Sequence, residues 1–164
     1  MLEQGLSPIA APDTRLFILG SLPGVRSLTE CRYYAHPTNQ FWKLVGSAIR
    51  LDLAAMDYPA RLEALAAHRI GLWDVIGAAR REGSADHRIR DAQANPIAGL
   101  KRDFPELNAI AFNGGKAAKD GMRLLSGIAG VRLIALPSSS AAYTLPLADK
   151  ARAWAVIGEF ATRK

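Results

Sequence analysis

The chain has one cysteine, Cys31, in 164 residues, which excludes an intrachain disulfide and any four-cysteine zinc or iron–sulfur centre and fits a reducing compartment. Histidine is nearly as scarce. His36, His68 and His87 stand far apart with no HExxH spacing and no clustered acidic partners, which argues against a zinc site. There is no GxSxG elbow for a serine hydrolase. No apolar run approaches the roughly 20 residues of a membrane helix. Glu3 and Gln4 occupy the place where a signal peptide has its basic start, so an intracellular, cytoplasmic protein is expected, with no membrane partner. Repeats, low-complexity tracts and composition shifts are absent, so residues 1–164 are read as a single domain.

What is present is an ordinary globular composition with a basic surplus. Lys and Arg number 21 against 15 Asp and Glu, a formal charge of +6 that favours a polyanionic partner, nucleic acid among them. Hydrophobic residues make up 49%, enough for a real core, with fraying expected only at Met1–Pro12 and Thr162–Lys164.

Four short apolar runs read as buried strands: Leu16–Leu19, Ile70–Val75, Ala109–Phe112 and Val131–Leu136. Between them, helical spacing predicts helices over about 39–50, 59–67, a short piece at 97–100, 117–125, and 147–161. Residues 80–86 read as an exposed loop, and 88–91 have no clear pattern. Wholly apolar strands alternating with helices predict a parallel sheet covered on both faces, an α/β/α sandwich. Ligands in such folds bind beyond the carboxyl ends of the strands. There the sequence has Gly20-Ser21-Leu22-Pro23-Gly24, Asp74, Asn113 and Pro137–Ser140.

Each of these has two readings. The two glycines and the proline after the first strand make a sharp turn that lets a ligand approach the backbone. Asn39 either caps the helix that follows or, as a neutral amide, orients a water or substrate oxygen. Phe41 and Trp42 are core residues or a stacking platform. Asp74 caps a turn or accepts hydrogen bonds from a bound base. Asn113 suits a turn before its two glycines. Ser138, Ser139 and Ser140 form a plain polar loop or grip a phosphate. Gly114-Gly115-Lys116 lacks the spacing and hydroxyl of a phosphate-binding loop.

Taken together, GSLPGxxSLxxxxYYAHPTNQFW, then GLWDV, GSAD, AFNGGKAA and LPSSSAA resemble the uracil-DNA glycosylase superfamily, and within it the hypoxanthine-DNA glycosylase branch. The likeness covers about residues 15–155. It implies a four-stranded parallel sheet and a monofunctional enzyme, free of metal and cofactor, that excises deaminated bases from DNA in base excision repair. The partner would be DNA containing such a base, and a monomer is expected.

The resemblance also assigns roles. Leu22 stands where most of the superfamily has the Asp or Asn that directs the attacking water, and the branch is expected to use Asn39 instead. Gly24 replaces a tyrosine that crowds the pocket of the classical uracil enzymes, implying room for a purine. Asp74 stands where uracil-specific relatives read the base with Asn, and a carboxylate there would accept the N1–H that hypoxanthine has and adenine lacks. Leu136 replaces the His that steadies the leaving base, so another donor is needed. The base would lie against Phe41 or Trp42, near Gly20–Gly24 and Asn113. Ser138–Ser140 would hold the flanking phosphate, with Tyr143 near the gap left in the duplex. A uracil-preferring or mismatch glycosylase and a non-catalytic nucleic-acid binder are the alternatives.

Overall fold

The computed structural model describes residues 2–161. In chain order the strands are β1 (Glu3–Gln4), β2 (Leu16–Gly20), β3 (Ile70–Asp74), β4 (Ile76–Arg80), β5 (Arg90–Ala94), β6 (Ala109–Asn113) and β7 (Arg132–Leu136). The helices are α1 (Val25–Glu30), α2 (Phe41–Ile49), α3 (Tyr58–Ala67), α4 (Leu100–Asp103), α5 (Gly115–Leu124), α6 (Leu147–Trp154) and α7 (Ile157–Phe160).

The expected sheet is present. Four strands pair in parallel in the order β3-β2-β6-β7. Successive side chains of a strand point to opposite faces, so β2 sends Leu16 and Ile18 into one core and Phe17 and Leu19 into the other. The first core lies under α2, α3, α6 and α7, and the second under α4 and α5. All four of those β2 side chains are fully buried, each a gain of about 1.5–3 kcal/mol over exposure. This central strand fixes where the carboxyl edge of the sheet lies.

Three departures from expectation matter. First, a second, antiparallel sheet in the order β1-β4-β5 stands beside the parallel one. Residues 80–86 were expected as a loop and 88–91 had no clear pattern; β5 is exposed at every residue, so no buried face patterns Arg90–Ala94. Second, the N-terminal segment within the described residues is tied down: β1 pairs with Ala78 and Ala79, and Ile9 exchanges backbone hydrogen bonds with Leu72 at 2.8 and 2.9 Å. Of the termini expected to fray, Met1 and Thr162–Lys164 lie outside the described residues. Third, the last helix is two helices, α6 and α7, with a turn at Ala155–Val156 that drops Ile157 into the first core.

Candidate active site

Parallel pairing in register brings the ends of the strands level: Gly20 lies opposite Asp74, and Asn113 opposite Leu136. From this edge the chain leaves in the turn after Gly20, through Val75 into β4, through Gly114 into α5, and in the serine loop after β7. Gly20 leaves space here. A Cβ on it would come within 2.7 Å of Asp74 Oδ1 and 3.1 Å of the Tyr34 hydroxyl oxygen, so the missing side chain is what lets both groups lie against the strand.

Asp74 is 4% exposed, and its Oδ2 accepts no hydrogen bond among the described residues. Burial, aided by the nearby charge of Asp86 and opposed by Arg81, pushes its carboxyl up to about 7. The strand end that carries it is braced by Asn95, whose Nδ2 donates to the Asp74 carbonyl at 2.9 Å. Tyr34 reaches in beside it. Its ring stacks on Phe41 with centroids 3.8 Å apart and planes 11° from parallel, and burial together with Asp74 pushes its phenol well above the ordinary range. Tyr34 holds this place with a left-handed backbone, φ 53°, unusual for a bulky residue.

Beside this pair runs a chain of neutral hydrogen bonds. The Ser139 backbone N–H donates to Asn113 Oδ1 at 2.8 Å, and Asn113 Nδ2 donates back to Ser139 Oγ at 2.8 Å. Ser139 Oγ donates in turn to Asn39 Oδ1 at 2.8 Å, and the same oxygen accepts the Phe41 N–H at 3.0 Å. The chain thus joins the end of β6, the serine loop after β7 and the N-terminus of α2. Gly114, at φ 98°, makes the turn that leaves Asn113 pointing at this loop, and a Cβ on it would come within 3.3 Å of Ser138 Cβ. Lys150 fastens the same junction: it is fully buried, and its Nζ donates to Gln40 Oε1 at 2.8 Å and the Ser140 carbonyl at 3.0 Å. Burial lowers its ammonium pKa. Trp154 Nε1 anchors the loop start through the Pro137 carbonyl at 2.9 Å.

Of the residues singled out in the sequence, Asn39, Gly20, Asp74, Asn113 and Ser139 come together. Asn39 stands one residue before Gln40, the N-cap of α2, and its Oδ1 accepts the N–H of Phe41, the first residue of that helix. Others take different places. Leu22 is buried with Ile76, Ala79 and Ile89 in a small core under the antiparallel ribbon. Ser21 Oγ donates to Asp86 at 3.2 Å, and the Leu22 and Pro23 carbonyls accept from Arg81, so this turn is tied to the ribbon side. The room that Gly24 leaves adjoins Ser84, whose Oγ would lie 3.4 Å from a Cβ there.

Phe41 is fully buried and Trp42 4% exposed, so neither offers an open face to a base; Tyr34 covers Phe41 and the Arg61 guanidinium lies over Trp42. Ser139, expected to hold a phosphate, is 1% exposed with its hydroxyl and N–H engaged inside. Ser138 and Ser140 are half-buried, and Tyr143 is 49% exposed on the loop before α6.

The sequence missed Tyr34, Arg81 and the ribbon. Tyr34 sits inside the YYAHP motif, but no spacing rule says which of two adjacent tyrosines turns inward. Arg81 read as loop because its anchoring is three-dimensional: its side chain is fully buried, ion-paired with Glu3 at 3.3 Å, and donates to the Leu22, Pro23 and Ser84 carbonyls. The ribbon and its connecting loop also bear Arg80, Arg88 and Arg90 around a surface cleft, partly offset by Glu82 and Asp91. Among the described residues no three His, Cys, Asp or Glu side chains gather as metal ligands. Nor is any described helix long and apolar enough to cross a membrane.

The family model described as the uracil DNA glycosylase superfamily matches residues 8–158. A Methanosarcina barkeri protein named hypoxanthine DNA glycosylase is 41% identical over 155 residues, covering 94% of this chain and 97% of its own. A protein of the same name from Methanosarcina acetivorans is 44% identical over 142 residues, 87% of this chain and 89% of its own. The solution NMR structure of a candidate uracil DNA glycosylase from Methanosarcina acetivorans superposes with a TM-score of 0.86 at 40% identity, covering 96% of this chain and 97% of that one. By sequence along nearly its whole length, and by a fold whose strand ends carry these loops, the chain belongs to the uracil DNA glycosylase superfamily.

Proposed function

We propose that this protein is a monofunctional DNA glycosylase that removes hypoxanthine from DNA by hydrolysing the N-glycosidic bond of deoxyinosine. The observation that carries the reading is the buried Asp74 carboxyl under Gly20, with an oxygen that has no partner among the described residues. A buried polar group left without a partner in the free protein suits a ligand that supplies one. Hypoxanthine offers an N1–H donor beside its O6 acceptor. The ionised carboxyl accepts N1–H, and the neutral acid accepts N1–H while donating to O6. Two relatives similar over most of their length are named for this activity.

The flipped nucleotide would enter over the ends of β2, β3 and β6, with Asn39 acting at the glycosidic bond. Ser138 and Ser140 would face the flanking phosphate, and the exposed Tyr143 would fill the gap in the duplex. The arginines of the ribbon supply a positive surface next to this mouth. The protein is proposed to act as a monomer. DNA as substrate implies a cytoplasmic protein, nucleoid-associated in a prokaryote.

Uracil is the second reading, because its N3–H and adjacent carbonyl present the same donor–acceptor edge and one similar solved protein is described as a candidate uracil DNA glycosylase. Oligonucleotides carrying deoxyinosine, deoxyuridine or deoxyxanthosine, treated with enzyme and then alkali, separate the cases. Strand cleavage that is fastest at deoxyinosine is expected. Fastest cleavage at deoxyuridine would favour the second reading, and binding without any abasic product would make the protein a non-catalytic DNA binder.

A further inference from the structure

We propose that Asn39 acts as a hydrogen-bond donor to the departing base, its amide locked in that sense by Ser139 and Asn113, and not as the acceptor that directs the attacking water. The inference rests on the glycosylase reading above and specifies how its central residue works.

The direction of every hydrogen bond in the Asn113–Ser139–Asn39 chain is fixed by two backbone N–H groups, which can only donate. The Ser139 N–H requires an acceptor, so the atom of Asn113 that faces it is Oδ1. Asn113 therefore turns Nδ2 toward Ser139 Oγ, which must accept it and must send its own proton onward. That proton goes to Asn39 Oδ1. At the other end the Phe41 N–H requires the same Asn39 atom to be an oxygen. Oxygen and nitrogen of both amides are thus assigned from opposite ends, and the two assignments agree.

The chemical consequence follows from counting lone pairs. An amide oxygen has two, and Asn39 Oδ1 spends them on the Phe41 N–H and the Ser139 hydroxyl. Nothing remains with which to accept a proton of the attacking water. The Asn39 Nδ2 group makes no hydrogen bond among the described residues, and Asn39 is only half-buried. What this side chain offers the cleft is a pair of N–H donors held from behind.

Hydrolysis needs a donor of this kind. As the bond between C1′ and N9 breaks, its electron pair goes to hypoxanthine, and negative charge spreads over the ring nitrogens and O6. Water oxygen adds to C1′ and gives up one proton, the base gains one, and an abasic deoxyribose and neutral hypoxanthine are left. A fixed N–H aimed at an acceptor of the departing base is stronger in the transition state than in the ground state, which is the condition for it to accelerate the reaction. Asn39 transfers no proton itself. Ser139 and Asn113 are positioning residues, touching neither base nor sugar in this account.

Asn39→Asp separates the two roles, because a carboxylate keeps both acceptor contacts to Phe41 and Ser139 and loses the donor. Single-turnover release from a deoxyinosine duplex at pH 8 should fall about 10²–10³-fold in Asn39→Ala, the scale of losing one fixed donor at a developing anion. Asn39→Asp should be no faster than Asn39→Ala, since its charge also repels the base anion. Release by Asn39→Asp within ten-fold of wild type would overturn the proposal.

Ser139 supplies a second test. Ser139→Ala should slow release about ten-fold, the worth of one hydrogen bond, with the DNA Kd unchanged. Ser139→Cys, close in volume but a weak donor, should be as slow as Ser139→Ala; wild-type release from it would mean that Ser139 only fills space and would overturn its positioning role. A wild-type protein that releases no base from any of the three lesion strands would instead overturn the glycosylase reading, and would do so before any variant is compared.

Discussion

The carboxyl edge of the parallel sheet and the antiparallel ribbon beside it meet at Arg81 and solve opposite problems. The sheet edge is desolvated, and its charged groups, Asp74 and Lys150, are buried. It holds amides and a hydroxyl in a directed chain, together with one carboxyl, Asp74, pushed up to about 7 by burial. The ribbon is wet and charged: Arg80 and Asp91 pair at 3.1 Å with both side chains more than half exposed, and every residue of β5 faces solvent. Exposed pairs of this kind are worth about 0–1 kcal/mol and are screened by salt, so they suit reversible attraction to a polyanion. Buried, mutually fixed dipoles suit chemistry, because they need not reorganise when charge develops. Arg81 links the two regions, since it is rooted on the ribbon with a fully buried guanidinium and ties down the turn after β2.

Breaking the sheet edge should therefore cost turnover, and breaking the ribbon should cost affinity. The largest effect expected is the 10²–10³-fold loss of base release in Asn39→Ala with DNA binding kept, read by single-turnover kinetics beside a binding titration. Next comes Arg81→Met, which leaves two carbonyls of the turn and part of Glu3 without their donor. It should cost about 2–3 kcal/mol, below the range for a wholly buried pair because Glu3 is partly exposed, and appear as a lower Tm. It should also raise the Asp74 carboxyl further, since Arg81 is the group that opposes the shift.

A smaller effect tests the base edge. Above about pH 7 Asp74 is ionised and repels the N1 lone pair of adenine, whereas the neutral acid below that pH pairs with adenine and hypoxanthine alike. Preference for deoxyinosine over deoxyadenosine should therefore rise with pH through about 7, by roughly ten-fold, and Asp74→Asn should abolish the trend. The same shift has a stability sign. The folded-state pKa lies above that of the unfolded chain, so protons favour the fold, and stability falls as pH rises from about 4 to about 7. Asp74→Asn should accordingly raise Tm relative to wild type at pH 8 and change it little at pH 4. Smallest of all, Arg88→Ala and Arg90→Ala should each weaken DNA binding a few-fold and reduce the salt slope by about 1, leaving release at saturating DNA unchanged.

The same division governed what the sequence could tell. The inner strands β2 and β6 were legible because burial on both faces writes a continuous apolar run, as in Leu16–Leu19 and Ala109–Phe112, whereas the edge strand β7 is only partly buried, with Arg132 and Ala135 exposed. Asp74 and Asn113 could be placed at strand ends for the same reason. The ribbon was not legible, since Arg90–Ala94 buries nothing and β4 is built of small residues such as Gly77, Ala78 and Ala79. The inward turn of Tyr34, the burial of Ser139 and the sealing of Phe41 depend on contacts across the chain: Tyr34 with Gly20 and Phe41, Ser139 with Asn113 and Asn39. Motif spacing carried Asn39 as a candidate, but only the hydrogen bonds around it say which end of its amide is free.

The division between edge and ribbon is tested most directly by one titration: single-turnover hypoxanthine release against DNA concentration for wild type, Asn39→Ala and the Arg88→Ala/Arg90→Ala pair on the same deoxyinosine duplex. If that division holds, the ribbon pair shifts the half-saturating DNA concentration upward and reaches the wild-type plateau. Asn39→Ala should keep the wild-type half-saturation and lose the plateau by about 10²–10³-fold. A plateau near wild type in Asn39→Ala, or a plateau lost in the ribbon pair, would contradict it.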